Sequence, residues 1–388
     1  MEPERKGWAY VHRGERPEDG ARKQGAGQRA AGQVEAGQRD AGQGEVEQER
    51  VEQGRVEQGR VEREDAGERY DVVVIGGAGV DTTVYVPELP LPYADTYGVP
   101  PVVDRIGNTG SGVVLGCHAL GLRSLLIDLI GDDPQGALIR DHLAARGAGF
   151  AWAVVPEGTR RSVLLVGPDG RRTSFYDARA AAGQRLPAGL YRPAIRRARH
   201  VHVSITDFSR HLYPELRELG VPVSTDLHDW DGENPYHQDF AYNSDLVFLS
   251  AAKLTDPPAV MRDIIQRGRA TTVVCTAGAA GAYLLEVPPG ELDGPAAVGP
   301  AGAGQWERAA SADVRHFPAA PLTGPVVDAN GAGDAFVSGF LYGRLRGLPV
   351  ADCVRLGTIA GAHACTSEGT HENPIDEHAL LASTETPR

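Results

Sequence analysis

Two carboxylates, Asp328 and Asp334, bracket a turn of small residues in the run Asp328-Ala329-Asn330-Gly331-Ala332-Gly333-Asp334. An apolar helical pattern starts at once with Ala335-Phe336-Val337-Ser338-Gly339-Phe340. Small residues let backbone N–H groups approach an anion closely, and a helix N-terminus adds partial positive charge at the same spot. A carboxylate held beside that anion can take a proton from an attacking hydroxyl. The arrangement suits phosphoryl transfer. Taken alone, the same seven residues also describe a glycine turn capped by Asp ahead of a core helix.

The elements that must position these groups begin at Tyr70. Asp71-Val72-Val73-Val74-Ile75 ends in Gly76-Gly77, as expected of a strand buried on both faces. Similar runs recur at Ser124–Leu129, His200–Val203, Val221–Ser224, Leu246–Leu249 and Thr271–Thr276. Helix-like stretches separate them, among them Gln135–Arg146, Ala259–Arg267 and Asp334–Arg346. This alternation predicts an α/β domain over residues 70–380, a mostly parallel sheet covered on both faces. Ala151–Val155, Ser162–Val166 and Arg172–Tyr176, joined by turns such as Pro168-Asp169-Gly170, read instead as an antiparallel flap. Residues 381–388 read as a tail.

Residues 1–69 differ in character. Gly-Gln recurs at 27, 32, 37 and 42, then Val at 46, 51, 56 and 61. A period of five builds no continuous apolar stripe on a helix. The segment reads as a disordered, low-complexity extension, with room for a fluctuating charged helix over about 45–65. A dispensable extension is favoured over a functional tail.

The net charge of −13 argues against a nucleic-acid surface. Cys117, Cys275, Cys353 and Cys365 form no metal or disulfide pattern and read as buried thiols of a cytoplasmic protein. No apolar run approaches the length of a membrane span. No Gly-x-x-x-x-Gly-Lys-Ser/Thr run exists, so a P-loop is excluded.

Four stretches carry a resemblance to the ribokinase family, also called PfkB carbohydrate kinases. Gly331-Ala332-Gly333-Asp334 resembles the family's C-terminal signature, which implies Asp334 as general base and Gly331, Ala332 and Gly333 as the anion hole. Gly107-Asn108-Thr109-Gly110-Ser111-Gly112, with Gly131-Asp132-Asp133-Pro134-Gln135-Gly136 further on, resembles the N-terminal signature. There Ile106 replaces a usual Gly, and Ser111 a sugar-binding Asn. Asp81 matches an Asp that bonds sugar hydroxyls, so Asp81, Gly107, Asn108 and Ser111 form the implied substrate set. Thr276, Gly278 and Gly281 match a loop that contacts ATP; without the resemblance, the same stretch is an ordinary hairpin.

At the fourth stretch the family's Asn-x-x-Glu is replaced by Ser250 and Lys253. The chain has three lysines, and the other two, Lys6 and Lys23, lie in the extension. Lys253 therefore either contacts a phosphate of ATP or sits on a solvated helix start. Asp226 matches an Asp common in the family's cleft, while Arg171 and Thr173 on the flap read equally as turn residues and as substrate contacts. The resemblance implies a three-layer α/β/α ribokinase-like fold with a small β-sheet lid, its strands around 81–105 and 150–180. It further implies ATP and Mg2+, K+ near Asp328 and Gly369, and a homodimer through the lid. The expected reaction is phosphorylation of a hydroxymethyl group of a sugar. A nucleoside kinase, with Tyr97, Phe175 and Tyr176 near the base, and a non-catalytic binding protein are the alternatives.

Overall fold

The computed structural model describes residues 58–61, 69–287, 312–367 and 369–385. Its strands are β1 (Gln58–Val61), β2 (Tyr70–Ile75), β3 (Gly79–Tyr85), β4 (Val103–Gly107), β5 (Ser124–Ile130), β6 (Gly149–Val154) and β7 (Arg161–Val166), followed by β8 (Arg172–Asp177), β9 (Ala198–Ser204), β10 (Val223–Asp226), β11 (Leu246–Ser250), β12 (Thr272–Thr276), β13 (Ala282–Glu286) and β14 (Arg315–Phe317). Ten of them form one sheet in the order β1-β6-β5-β2-β9-β10-β11-β12-β13-β14. The seven from β6 to β12 run parallel, and β1, β13 and β14 pair antiparallel at the two edges.

Side chains alternate across this sheet and feed two separate cores. Val72, Val74, Leu126, Phe248 and Val274 pack on one face with the helices Thr109–Ala119 and Pro134–Arg146, and with Ala332–Leu345 and Val350–Ala364. Val73, Ile75, Ile127, Val247 and Val273 face the other way, toward Ala188–Ile195, Tyr213–Leu219, Gln238–Asn243 and Pro257–Arg267. A strand apolar at every position is what two covered faces require. The predicted three layers are therefore present, with boundaries displaced by one or two residues.

Three expectations are corrected. The segment expected to open the flap is β6, which lies in the large sheet parallel to β5. Phe150 belongs to one core and Ala151 and Ala153 to the other, so this strand is buried on both sides rather than on one. Within the expected unstructured extension, Gln58–Val61 pairs with β6. That edge pairing uses backbone groups, and its polar sequence gives no apolar signal; the charged helix expected over 45–65 is not what stands at 58–61, and residues 1–57 and 62–68 lie outside the described residues. At the other end the helix Glu377–Glu385 occupies most of the expected tail.

The lid is a four-stranded sheet in the order β4-β3-β7-β8, with β3 and β7 parallel rather than antiparallel. Its two central strands start from one buried knot. The Arg160 guanidinium, just before β7, donates to Asp128 on β5 and, through Nε, to the carbonyl of Ala78, just before β3. The Asp128 carboxylate in turn accepts the Ala78 amide. Asp133 adds a second anchor. It caps the helix Pro134–Arg146 by accepting from Gly136 N at 2.8 Å, and it holds Thr159 through N (2.8 Å) and Oγ1 (2.6 Å). The Gly131–Gly136 motif thus serves the root of the lid.

Candidate active site

Asp334 lies in the first turn of the helix Ala332–Leu345, at the carboxyl-end side of the parallel strands where open α/β sheets bind ligands. Gly331 caps that helix at φ 80°, a left-handed conformation that suits glycine. The Gly333 and Asp334 amides donate to no described residue, as first-turn amides of a helix do not, and are free to meet an anion.

Three carboxylates converge here: Asp334 (7% exposed), Asp81 on β3 (5%) and Asp226 at the end of β10 (9%). Burial first, then the charges of Asp226 and Asp81, push the Asp334 carboxyl well above its ordinary range, and the Arg172 guanidinium opposes them. Asp81 is raised by burial and steadied by Ser162, Arg172, Thr370 and Asn330. Asp226 also accepts the His228 amide at 2.9 Å.

The loop before the helix Thr109–Ala119 closes against these groups. A Cβ on Gly107 would lie 2.2 Å from the Asp81 carboxyl carbon, so the backbone there must carry no side chain. Asn108 stands at φ 64° as the helix N-cap. The Asn108 Nδ2 and Ser111 Oγ atoms are buried with no hydrogen-bond partner among the described residues. Buried polar atoms are seldom left so, and both atoms keep the capacity to bind a polar group.

The implied ATP side is arranged at the ends of β11 and β12. Ser250 and Thr276 are paired in register, and Thr276 Oγ1 donates to Leu249 O at 3.3 Å. Gly278 opens the following turn, and Gly281 packs beneath the carbonyl of Phe317. The Ser250 hydroxyl caps a short turn by accepting from Ala252 N. Lys253 Nζ rests 2.7 Å from Asp229 Oδ2, and both side chains are more than half exposed. Asp328 is buried and accepts the Asn330 amide at 2.8 Å, and the Val327 and Asp328 amides donate to Cys365 O.

Four neighbours of Asp334 and Asp81 have no role assigned from the sequence: His371, Asn330, which lies inside the glycine-turn motif, Thr370 and Arg172. His371 Nε2 is 3.7 Å from Asp334 Oδ2 and 3.2 Å from the Asn108 carbonyl. Its burial lowers the imidazole to about 4, so it is neutral. The Asn330 amide donates to Thr370 Oγ1. The aromatic trio considered for a nucleobase is split, because the register sends Tyr176 to the Asp81 face of the lid and Phe175 to the opposite one.

A doubly covered parallel sheet, a β-lid and a buried carboxylate at a glycine-capped helix N-terminus define the ribokinase-like class of kinases. Comparison with known proteins makes this specific. Residues 240–377 match the model of the pfkB family carbohydrate kinases. Over 315 residues the chain is 49% identical to the acarbose 7(IV)-phosphotransferase of an Actinoplanes species, spanning 81% of this chain and 98% of that protein. The fructoselysine 6-kinase of Escherichia coli is 26% identical over 270 residues, or 68% of this chain and 90% of that one. Among solved structures, a microbiome-derived acarbose kinase superposes with a TM-score of 0.71 at 42% identity, covering 81% of this chain and 98% of its own. Ribokinase of Thermotoga maritima gives a TM-score of 0.64 at 14% identity over 82% and 100%, a likeness of fold. The chain belongs to the pfkB family of carbohydrate kinases, and it is an ATP-dependent phosphotransferase acting on a hydroxyl group.

Proposed function

We propose that the chain transfers the γ-phosphoryl of ATP to a hydroxymethyl group of an acarbose-type sugar. The observation that carries the site assignment is the buried Asp334 carboxylate beside two free helix amides. The likeness to two acarbose-acting kinases supports the choice of sugar.

In this reading Asp334 takes the proton of the attacking hydroxyl as its oxygen bonds to phosphorus. The bond from phosphorus to the β–γ bridging oxygen breaks, and ADP leaves. The Gly331, Ala332, Gly333 and Asp334 segment stabilises charge on the transferring group. Asp81, with Asn108 Nδ2 and Ser111 Oγ, holds the sugar so that its oxygen lies in line. Thr276, Gly278 and the Ser250 edge receive the nucleotide. Magnesium bound to the nucleotide would neutralise phosphate charge. Among the described residues no cluster of three or more His, Cys, Asp and Glu side chains forms a metal cage. Lys253, balanced by Asp229, stands outside the phosphate-contacting set. Asp328 is the carboxylate that would face a monovalent cation such as potassium. The outward face of the lid, where Phe175 is 59% exposed and Val163 39%, is where a second copy would pair. ATP as co-substrate places the reaction in the cytoplasm; among the described residues no helix is long and apolar enough to cross a membrane.

The test is ADP release on a panel of acarbose, monosaccharides, fructoselysine and nucleosides. Turnover with acarbose well above the others is expected. Turnover with nucleosides alone would overturn the sugar assignment.

A further inference from the structure

Lid register puts Arg172 where no local sequence feature announces it. Asp81 pairs with Ser162, Ser162 with Tyr176, and side chains two residues apart share a face. The Asp81 face of the lid therefore carries Ser162, Leu164 and Val166 from β7, and Tyr176, Ser174 and Arg172 from β8. That face looks into the cleft, since Asp81 meets Asn330 and Thr370 there. The field of the Arg172 guanidinium is felt by Asp81, Asp334 and His371, which come from three separate elements.

Arg172 is also uncommitted. Its neighbour Arg171 bonds Asp169 at 2.6 Å in the turn, Arg179 bonds Asp177 at 2.6 Å, and Arg161 pairs with Asp177 at 4.0 Å. Arg172 makes no ion pair or side-chain hydrogen bond with any described residue. Its exposed guanidinium, whose charge reaches Asp81 and Asp334, is thus held by no ion pair among the described residues. Lys253, just after β11, is by contrast paired with Asp229.

We infer that Arg172 is a lid-borne catalytic residue that contacts the γ-phosphoryl group of ATP during transfer. The inference rests on the reading of Asp334 as the base. As the new bond from the sugar oxygen to phosphorus forms and the bond to ADP breaks, charge on the equatorial oxygens is met by the guanidinium fork. Lid closure thereby completes the charge complement of the site only when sugar is bound, which limits ATP hydrolysis without acceptor.

The experiment compares wild type with Arg172→Gln, Arg172→Lys and Arg171→Gln, using ATP, magnesium and acarbose. Expected for Arg172→Gln is a fall in kcat of about 10²–10³-fold, with both KM values within about threefold and partial recovery in Arg172→Lys. Arg171→Gln should behave as wild type. A second measurement is independent of turnover: acarbose should tighten binding of ADP with aluminium fluoride to wild type, and not to Arg172→Gln, while ADP alone binds both equally. A raised acarbose KM at unchanged kcat would overturn the phosphoryl role, and so would unchanged kinetics. Loss of ADP binding in Arg172→Gln would overturn it as well, by showing a structural role. A wild type inactive on acarbose yet tightened by it would strike the turnover reading instead, and the aluminium fluoride comparison would still decide the role of Arg172.

Discussion

Gly112 offers a direct test of how the helix Thr109–Ala119 positions Asp334. A Cβ built on Gly112 would lie 2.7 Å from Asp334 Cβ and 2.4 Å from His371 Cε1. Carbon atoms prefer separations of 3.5–4.0 Å, so Gly112→Ala must displace Asp334, His371 or the helix itself by about 1 Å. His371 has little room, because it is buried and held to the Asn108 carbonyl. Overpacking of this kind costs about 1–3 kcal/mol, partly offset by the roughly 1 kcal/mol that Ala gains over Gly in a helix. Misplacement of a reacting group by about 1 Å can cost about 10²-fold in rate. The variant should therefore lose little stability and about two orders of magnitude in kcat, measured by urea denaturation and by ADP release with acarbose. A kcat within about threefold of wild type would refute the claim that this helix contact sets the position of Asp334.

Four further outcomes follow from the same structure. Asp128→Asn should destabilise the protein by about 3–5 kcal/mol in urea, because it leaves Arg160 buried without its counter-charge; a loss below about 1 kcal/mol would contradict the knot at the lid root. Burial lowers His200 and His202 to about 3 from 6.5, so both fold as neutral rings. Stability is then full above pH 6.5 and falls as pH drops toward 3, by about 1.4 kcal/mol per unit for each ring, and a urea midpoint unchanged between pH 7.5 and 5 would count against it. With Asp334 proposed as the base in its ionised form and its carboxyl raised, kcat/KM should fall on the acid side well above the ordinary carboxylate pKa of about 4; a limb at about 4 would show an unperturbed base. Lys253→Ala should change turnover and magnesium dependence by less than about threefold, as an exposed pair contributes little, and a larger loss would return Lys253 to the phosphate site.

Much of the fold was legible because strands covered on two faces must be apolar throughout, which marks β2, β5, β11 and β12 in the sequence itself. The same rule hid β6, whose Gly149-Phe150-Ala151-Trp152-Ala153-Val154 mixes small and large residues. It also hid Asp128, a carboxylate inside an apolar run whose partner, Arg160, lies in the lid connection. At the site, the glycine turn before Asp334 carries its own signal, since a close anion requires small residues and a helix start. Arg172 and His371 carry none. One reaches the cleft through strand register, and the other through the loop that follows the helix Val350–Ala364. Such tertiary placement leaves no periodicity to read. The lid root is an intermediate case: the Gly131–Gly136 motif was visible, but its work on Thr159 was not.

We assign Asp334 as the base for transfer to a sugar hydroxymethyl group. The most direct test is turnover of ATP with acarbose by wild type and Asp334→Asn, with the product examined by phosphorus and carbon NMR. We expect phosphate on a hydroxymethyl carbon, and a fall in kcat of about 10²–10⁴-fold in Asp334→Asn at unchanged ADP affinity. Phosphate on a ring hydroxyl, or an Asp334→Asn variant that turns over within tenfold of wild type, would contradict it.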